Sequence, residues 1–359
     1  MTDKVFHTID AHTGGEPLRL ILDGWPEPQG RTILEKRAFA RAKQDHLRRV
    51  LMHEPRGHAD MYGALLTSPE RPDSDAGVLF MHNEGFSTMC GHGVIAVTKI
   101  AIERGLLPNR RETLTKPTRA LPSTPPTGAL HSTPPTRFVT LDAPAGQIRA
   151  TAHVTETRDG VKVDRVSFIN VPSFVLAAGV PVTVGSRTMH VDVAFGGAFY
   201  AIVDAEAAGL AVVPGKLTEL RAMGDAISRA VEKQLTVVHP LEPGLTGIYG
   251  TIFTGPATVP GADLRNVTIF ADKEVDRSPC GTGTCAVLAV LDAMGLADPI
   301  RPFVHESIVG STFSAHVVER TTVGDIPAIV PELSGTASIT GEHTFIVEKD
   351  DLFKKGFRL

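Results

Sequence analysis

Short segments rich in β-branched residues are separated by polar turns along most of the chain, and this pattern predicts a protein built mainly from β-strands. Two segments, residues 32–50 and 216–237, instead have the apolar stripe of helices that pack one face on a core. Examples of the predicted strands are residues 4–10, 18–22, 138–141, 161–170, 189–195, 198–203, 267–270 and 344–347.

Two further segments, residues 91–104 and 281–294, are apolar or small almost all the way round the helical wheel. A helix without a polar face is normally buried inside a domain. Each segment ends at a glycine, Gly105 or Gly295, and glycine is common just after the last helical residue. The pattern therefore predicts two central helices that are buried inside the protein.

The two predicted central helices begin alike, with Met89-Cys90-Gly91-His92-Gly93 and Pro279-Cys280-Gly281-Thr282-Gly283. The two cysteines lie 190 residues apart, which suggests two similarly built halves that each present one thiol at the start of a helix. The unpaired N–H groups and partial positive charge of a helix N-terminus favour a thiolate and can also bind a carboxylate. We therefore expect a cysteine pKa below the usual value of about 8.5.

Two such thiols on opposite sides of one carbon could exchange its proton without a cofactor, one as base and the other as acid. Cys285 lies further along its helix and is expected to be an ordinary core residue. No cluster of histidine and cysteine with metal-ligand spacing accompanies Cys280 and Cys285, so no metal site is predicted.

Composition excludes several classes of protein. Three cysteines in 359 residues do not make a disulfide framework. A net charge of −4 gives no electrostatic reason to bind nucleic acid or an anionic membrane. The N-terminus lacks a basic and then apolar signal, and no apolar run is long enough to span a membrane. These features predict a cytoplasmic protein.

Residues 115–137 stand apart, with six prolines and the repeated sequence Ser-Thr-Pro-Pro-Thr. We expect an exposed, mobile loop without regular structure. It could link two domains, but an insertion beside a strand connection, without a catalytic role, is the preferred interpretation.

The run from Asp276 to Thr284, Asp-Arg-Ser-Pro-Cys-Gly-Thr-Gly-Thr, closely resembles the second catalytic signature of the proline racemase superfamily, and Met89–Gly93 resembles the first. Residues 12–17, 54–58 and 195–199 are also similar to this family. The resemblance implies the α/β fold of diaminopimelate epimerase, in which two pseudo-symmetric domains each wrap a curved sheet round a central helix. We expect a first half at residues 1–145, a second at 146–340, and a tail at 341–359 that could return to the first half.

The resemblance also implies the residues of the site, in the cleft between the halves, and a homodimer without cofactor. Cys90 and Cys280 would be the catalytic acid and base groups. The substrate-binding residues would be Gly91 and His92 from the first half, with Asp276 at the ring nitrogen and the carboxylate bound by Gly281 and Thr282. From the residues alone, Asp276 could instead cap a turn and His92 could be a packed imidazole.

Within this superfamily the sequence supports two reactions. Cys280 follows the racemase pattern, whereas dehydratases typically have threonine there. Residues 58–63, 82–89 and 248–252 are more similar to the dehydratases, and the glycine-rich stretch with a histidine that 4-hydroxyproline epimerases have near the last segment is not evident. The leading hypothesis is dehydration of trans-3-hydroxy-L-proline to Δ1-pyrroline-2-carboxylate. The alternative is racemisation of proline or 2-epimerisation of hydroxyproline, with Cys90 and Cys280 as the two bases.

Three other classes of function stay open. A cysteine hydrolase could use Cys90 as its nucleophile, but it would need a histidine partner and would leave Cys280 unexplained. Cys90 and Cys280 could form a redox-active disulfide. A binding module without catalysis would have little use for two helices that begin with thiols.

Overall fold

The computed structural model describes residues 3–107, 135–158 and 160–359, and three of the four predicted helical segments each contain one α-helix. The chain segments 91–104 and 281–294 form the helices α3 and α5, and residues 216–237 contain α4. The described helices are α1 (Ile33–Phe39), α2 (Asp45–Met52), α3 (Gly91–Glu103), α4 (Leu217–Gln234) and α5 (Gly281–Ala293).

The described residues also form seventeen strands, which hydrogen-bond in one continuous network. Every predicted strand is present, usually with longer bounds. The strands are β1 (Lys4–Thr13), β2 (Glu16–Asp23), β3 (Tyr62–Thr67), β4 (Ala76–His82), β5 (Thr136–Ala143), β6 (Gly146–Thr157), β7 (Gly160–Ile169), β8 (Ser173–Val184), β9 (Arg187–Phe195), β10 (Phe199–Asp204), β11 (Ile248–Pro256), β12 (Leu264–Phe270), β13 (Glu274–Asp276), β14 (Phe303–Ser307), β15 (Thr312–Val323), β16 (Ile326–Gly335) and β17 (Ala337–Val347).

The strand pairings repeat in the two parts of the chain. From β2 to β7, successive neighbours pair parallel, antiparallel, parallel, antiparallel and antiparallel. The same series runs through β10, β11, β12, β14, β15 and β16. This repetition is the pseudo-symmetry that the two similar helix starts predict, and the mixed α/β fold is the one that the sequence resemblance implies.

Each central helix is wrapped by its own group of strands. The helix α3 contacts β1, β6, β7 and β17, whereas α5 contacts β8, β9, β15 and β16. Residues 91–101 of α3 and 281–290 of α5 are buried, as expected for helices without a polar face. Both helices end at the predicted glycines, since Gly105 and Gly295 adopt positive φ angles of 63° and 73°.

The division into halves at residue 145 stays a proposal. That position lies in the turn between β5 and β6, which pair with each other. Because β6 and β7 pack on α3 rather than α5, the contacts favour a boundary after β7. Residues 337–347 form β17 and pair antiparallel with β1.

One predicted helix needs correction, and one predicted loop lies mostly outside the described residues. The segment 32–50 is not one helix, because a π-helical turn at Ala40–Gln44 separates α1 from α2. The wider turn accompanies the inward position of Gln44, which accepts a hydrogen bond from Trp25 Nε1 at 3.0 Å.

Most of the proline-rich segment lies outside the described residues, but Thr136 and Arg137 belong to β5. No helix in the described ranges is long and apolar enough to cross a membrane.

Candidate active site

The N-termini of α3 and α5 lie directly against each other. A Cβ atom added to Gly91 would lie only 2.5 Å from the Cα atom of Gly281, and the reverse contact is equally short. Only glycine lets the two helix starts approach this closely. A small cavity lies at this contact, and all seven residues predicted for the site line it, namely Cys90, Gly91, His92, Asp276, Cys280, Gly281 and Thr282.

Cys90 caps α3 and is buried. Its backbone is extended, with φ −147° and ψ 107°, and its Sγ atom accepts a hydrogen bond from the N–H of Gly93 at 3.2 Å. The Nδ1 atom of His92 lies 3.3 Å from the same sulfur. The thiol therefore has both a helix N–H donor and an imidazole as direct neighbours.

Cys280 occupies the corresponding position before α5 but with a different backbone. Its φ angle is 64°, a left-handed conformation that is unfavourable for a residue with a side chain. Its Sγ atom lies 3.6 Å from the hydroxyl oxygen of Tyr200 and 4.0 Å from Oγ1 of Thr282. Tyr200 and Thr282 are themselves joined by a hydrogen bond of 2.6 Å.

The expectation of lowered cysteine pKa values is wrong for these two buried thiols. Burial raises the pKa of the Cys90 thiol well above its ordinary value, although the N–H of Gly93 acts in the opposite direction. Burial and then the nearby Asp276 carboxylate also raise the pKa of Cys280. The helix N–H groups are present as predicted, but loss of hydration outweighs them when no substrate charge is present. Burial also raises the pKa of Cys285, which is a core residue as predicted, to about 12.

Asp276 lies at the end of β13 and is buried against Cys280. Its Oδ1 atom accepts hydrogen bonds from the N–H and the hydroxyl of Ser278 at 2.8 and 2.7 Å. Burial raises the pKa of Asp276 to about 6, so the carboxylate form predominates at neutral pH. Burial lowers the pKa of His92 to about 3, so that its imidazole is neutral.

Glu16 fixes the segment that carries Asp276, a contact that the sequence did not predict. This buried carboxylate from the first half accepts a hydrogen bond from the N–H of Arg277 at 2.8 Å and lies 3.1 Å from the Nε atom of Arg277. Burial and then Asp276 raise the pKa of Glu16 well above its usual value. The motif His12–Pro17, which resembles the family, therefore contributes a contact between the two halves.

Aromatic side chains that were not predicted from the sequence form one wall of the cavity. The chain has three tyrosines, and all three, Tyr62, Tyr200 and Tyr249, line the cavity. The ring of Tyr62 contacts that of His92 edge-on, with the ring centroids 4.8 Å apart. The ring of Tyr249 stacks on that of Phe270, with the centroids 5.3 Å apart. The scarcity of tyrosine and the repeated Tyr-Gly pair at residues 62–63 and 249–250 are signals that could have indicated these residues.

A larger cavity adjoins the first, and Tyr249 lines both. The inner cavity has a volume of about 10 Å³, roughly what one water molecule requires. The outer cavity has about 530 Å³ and is lined by residues that include Arg37, Ser87 and Thr88. A ring-sized substrate therefore needs the inner cavity to widen, and the outer cavity is the adjacent open space.

Comparison with known proteins gives a consistent result over the full length. The family model described as proline racemase matches residues 8–358. The chain is 46% identical to trans-3-hydroxy-L-proline dehydratase of Bacillus cereus over 99% of this chain and 98% of the relative. It is 41% identical to the protein of the same name from Azospirillum brasilense, over 98% and 97% of the two chains.

Solved structures show the same fold. The crystal structure of a hydroxyproline epimerase from Agrobacterium vitis, with bound trans-4-hydroxy-L-proline, matches with a TM-score of 0.84 and 28% identity over 99% of this chain and 96% of that one. A probable proline racemase from Agrobacterium radiobacter matches with the same TM-score, 29% identity and the same coverage.

Proposed function

The chain belongs to the proline racemase family, and on that premise we propose that it dehydrates trans-3-hydroxy-L-proline to Δ1-pyrroline-2-carboxylate. The observation that carries this proposal is the full-length similarity to proteins named as dehydratases of this substrate, at 41–46% identity. The cavity supports it, because two thiols and a carboxylate surround one small space.

In the proposed reaction Cys90, as a thiolate, removes the Cα proton. The C3–O bond then breaks with its electron pair on oxygen, and the Cys90 thiol returns the proton to the leaving hydroxide as water. One group can serve both steps because the Cα hydrogen and the 3-hydroxyl of this substrate lie on the same face of the ring. The resulting enamine tautomerises to the imine Δ1-pyrroline-2-carboxylate.

The substrate charges offset the effect of burial on Cys90. Asp276 pairs with the positively charged ring nitrogen, and that cation favours the thiolate form of Cys90. Gly281 and Thr282 at the start of α5 bind the carboxylate, whose delocalisation stabilises negative charge at Cα. Gly91 and His92 contact the substrate from the first half, with a neutral imidazole.

The alternative reaction is racemisation of proline or 2-epimerisation of hydroxyproline. It is favoured by one observation, the presence of a second thiol, Cys280, in the same cavity. A proton removed by Cys90 on one face would then be replaced by Cys280 on the other. The similarity to a hydroxyproline epimerase structure supports this alternative at the level of the family.

One experiment separates the two reactions. The protein is incubated in deuterated water with L-proline, trans-4-hydroxy-L-proline and trans-3-hydroxy-L-proline, and each mixture is followed by proton NMR. We expect a cyclic imine from the 3-hydroxy compound. Inversion at Cα of proline or of the 4-hydroxy compound, without any imine, would overturn the dehydratase proposal in favour of the alternative.

Covalent labelling tests the wider class. Pyrrole-2-carboxylate is a planar mimic of the deprotonated ring, so it should protect Cys90 and Cys280 from alkylation. Alkylation at an unchanged rate would instead favour a cysteine hydrolase or a redox pair.

Further proposals cover the oligomeric state, the cellular compartment, the cofactor requirement and the binding partners of the enzyme. We propose a homodimer in the cytoplasm that needs no cofactor and binds neither nucleic acid nor membrane. The net charge of −4 supports the proposal that the protein binds neither nucleic acid nor an anionic membrane. Sedimentation equilibrium of the purified protein tests the oligomeric state, and a monomer would contradict it.

A further inference from the structure

Tyr62 and Tyr249 occupy equivalent places in the two halves. Tyr62 is the first residue of β3 and Tyr249 the second residue of β11, and these two strands correspond in the repeated series of strand pairings. Each tyrosine is followed by a glycine, Gly63 or Gly250, at which a Cβ atom would clash with neighbouring atoms. The two halves therefore bring one tyrosine each to the same cavity.

The hydroxyl groups of the pair form a chain. The Tyr62 hydroxyl donates to Oγ of Ser87 at 2.7 Å, and the hydroxyls of Tyr62 and Tyr249 are 3.0 Å apart. Either hydroxyl can be the donor between the two tyrosines. Ser87 gives Tyr62 a second hydroxyl partner, whereas the Tyr249 hydroxyl is bonded to Tyr62 among the described residues, so the Tyr249 hydroxyl is the one that can turn toward a ligand.

The third tyrosine belongs to a different part of the cavity. Its hydroxyl is bonded to Thr282 and lies beside Cys280, so Tyr200 is on the side where the substrate carboxylate is proposed to bind. Tyr62, in contrast, contacts His92, whose ring lies beside Cys90. Tyr62 therefore holds the hydroxyl pair toward the Cys90 side, while the ring of Tyr249 also contacts Tyr200 edge-on, with ring centroids 5.8 Å apart.

From this arrangement we infer that Tyr249 is a specificity-determining residue that donates a hydrogen bond to the departing 3-hydroxyl, and that Tyr62 positions it. The inference rests on the proposed dehydration, in which the leaving oxygen lies on the Cys90 face of the ring. Tyr249 stabilises the negative charge that develops on this oxygen and transfers no proton, since the Cys90 thiol supplies the proton of the water. The substrate class is thereby narrowed to prolines with a hydroxyl on this ring carbon and this face.

The test compares the rate of dehydration with the amount of substrate that loses its Cα proton and is reprotonated without losing water. Tyr249→Phe keeps the ring stacked on Phe270 but removes the donor. With trans-3-hydroxy-L-proline in deuterated water we expect the dehydration rate to fall about 100-fold, as for loss of one hydrogen bond to a developing anion. Recovered substrate should then carry deuterium at Cα or appear as its 2-epimer, and Tyr62→Phe should do the same more weakly.

The matched control is Tyr200→Phe, which removes the hydroxyl on the Cys280 side. We expect this variant to change KM or the overall rate. The ratio of α-exchanged substrate to dehydrated product should remain the same as that of the unaltered enzyme. An undiminished dehydration rate in Tyr249→Phe, or a loss of dehydration without a rise in that ratio, would overturn the inference. Absence of any imine with the unaltered enzyme would instead overturn the proposed function itself, and the inference with it.

Discussion

The starts of α3 and α5 touch through Gly91 and Gly281, and each begins with a buried cysteine. Around Cys90 the backbone is extended, the sulfur accepts the N–H of Gly93, and an imidazole lies 3.3 Å away. Around Cys280 the backbone is left-handed, and the sulfur has a tyrosine hydroxyl and a nearby carboxylate as neighbours.

The comparison shows how one repeated scaffold can carry two unequal acid–base groups. Both thiols receive a helix N–H that lowers the pKa and lie near Asp276, which raises it, so the two differ in backbone conformation and neighbours rather than in the direction of their pKa shifts. From the proposed single-face reaction we expect Cys90 to act as the base and Cys280 to be dispensable for dehydration. The predictions that follow test this inequality.

The largest expected effect belongs to Cys90→Ser. An alcohol is far less acidic than a thiol, so the proton-transfer contribution, about 10²–10⁴-fold, should be lost and dehydration should become undetectable. Steady-state formation of the imine measures this, with thermal unfolding as a check on the fold. Turnover at near-normal rates would remove Cys90 from the mechanism.

Gly91→Ala should have the next largest effect, because its new methyl group would lie 2.5 Å from the Cα atom of Gly281. Forcing the helix starts apart should lower stability by about 1–3 kcal/mol and reduce kcat/KM by at least tenfold. Gly215→Ala is the control, since no atom lies within 4 Å of the added methyl group. Equal stability and activity of the two variants would show that the close contact is not needed.

A pH profile tests the Asp276 side of the comparison. Its pKa of about 6 in the free protein predicts that kcat/KM falls tenfold per pH unit below pH 6, because the protonated carboxyl cannot pair with the ring nitrogen. Above pH 6 the carboxylate form of Asp276 predominates, so protonation of this group no longer lowers kcat/KM. In Asp276→Asn the acidic limb should vanish along with most of the activity, and an unchanged limb would assign the titration to another group.

The smallest effect is expected for Cys280→Ser, the counterpart of Cys90→Ser. Dehydration should stay within about fivefold of the unaltered rate, because the leaving group and the base lie on the other face of the ring. Any inversion at Cα should end, since no thiol remains to protonate that face. A loss of dehydration as complete as that of Cys90→Ser would disprove the single-face mechanism.

Much of the fold and the identity of the candidate site could be predicted from local sequence. The apolar helices α3 and α5 lack a polar face, so their burial follows from composition alone, and Gly105 and Gly295 mark their ends. The repeated Cys-Gly motifs, together with the family resemblance they carry, pointed to seven of the twelve residues that line the cavity. The break in the segment 32–50 was missed because a π-helical turn depends on where Gln44 finds its partner, Trp25, nineteen residues away.

The sequence by itself determined the two central helices, the thiol at the start of each and the duplication of the halves, because these features depend on residues close together in the chain. Only the tertiary structure decided what surrounds each thiol. Tyr62, Tyr249 and Glu16 reach the cavity or its supporting segment from strands far away in sequence. Burial, which depends on all these contacts together, reversed the expected direction of the cysteine pKa values.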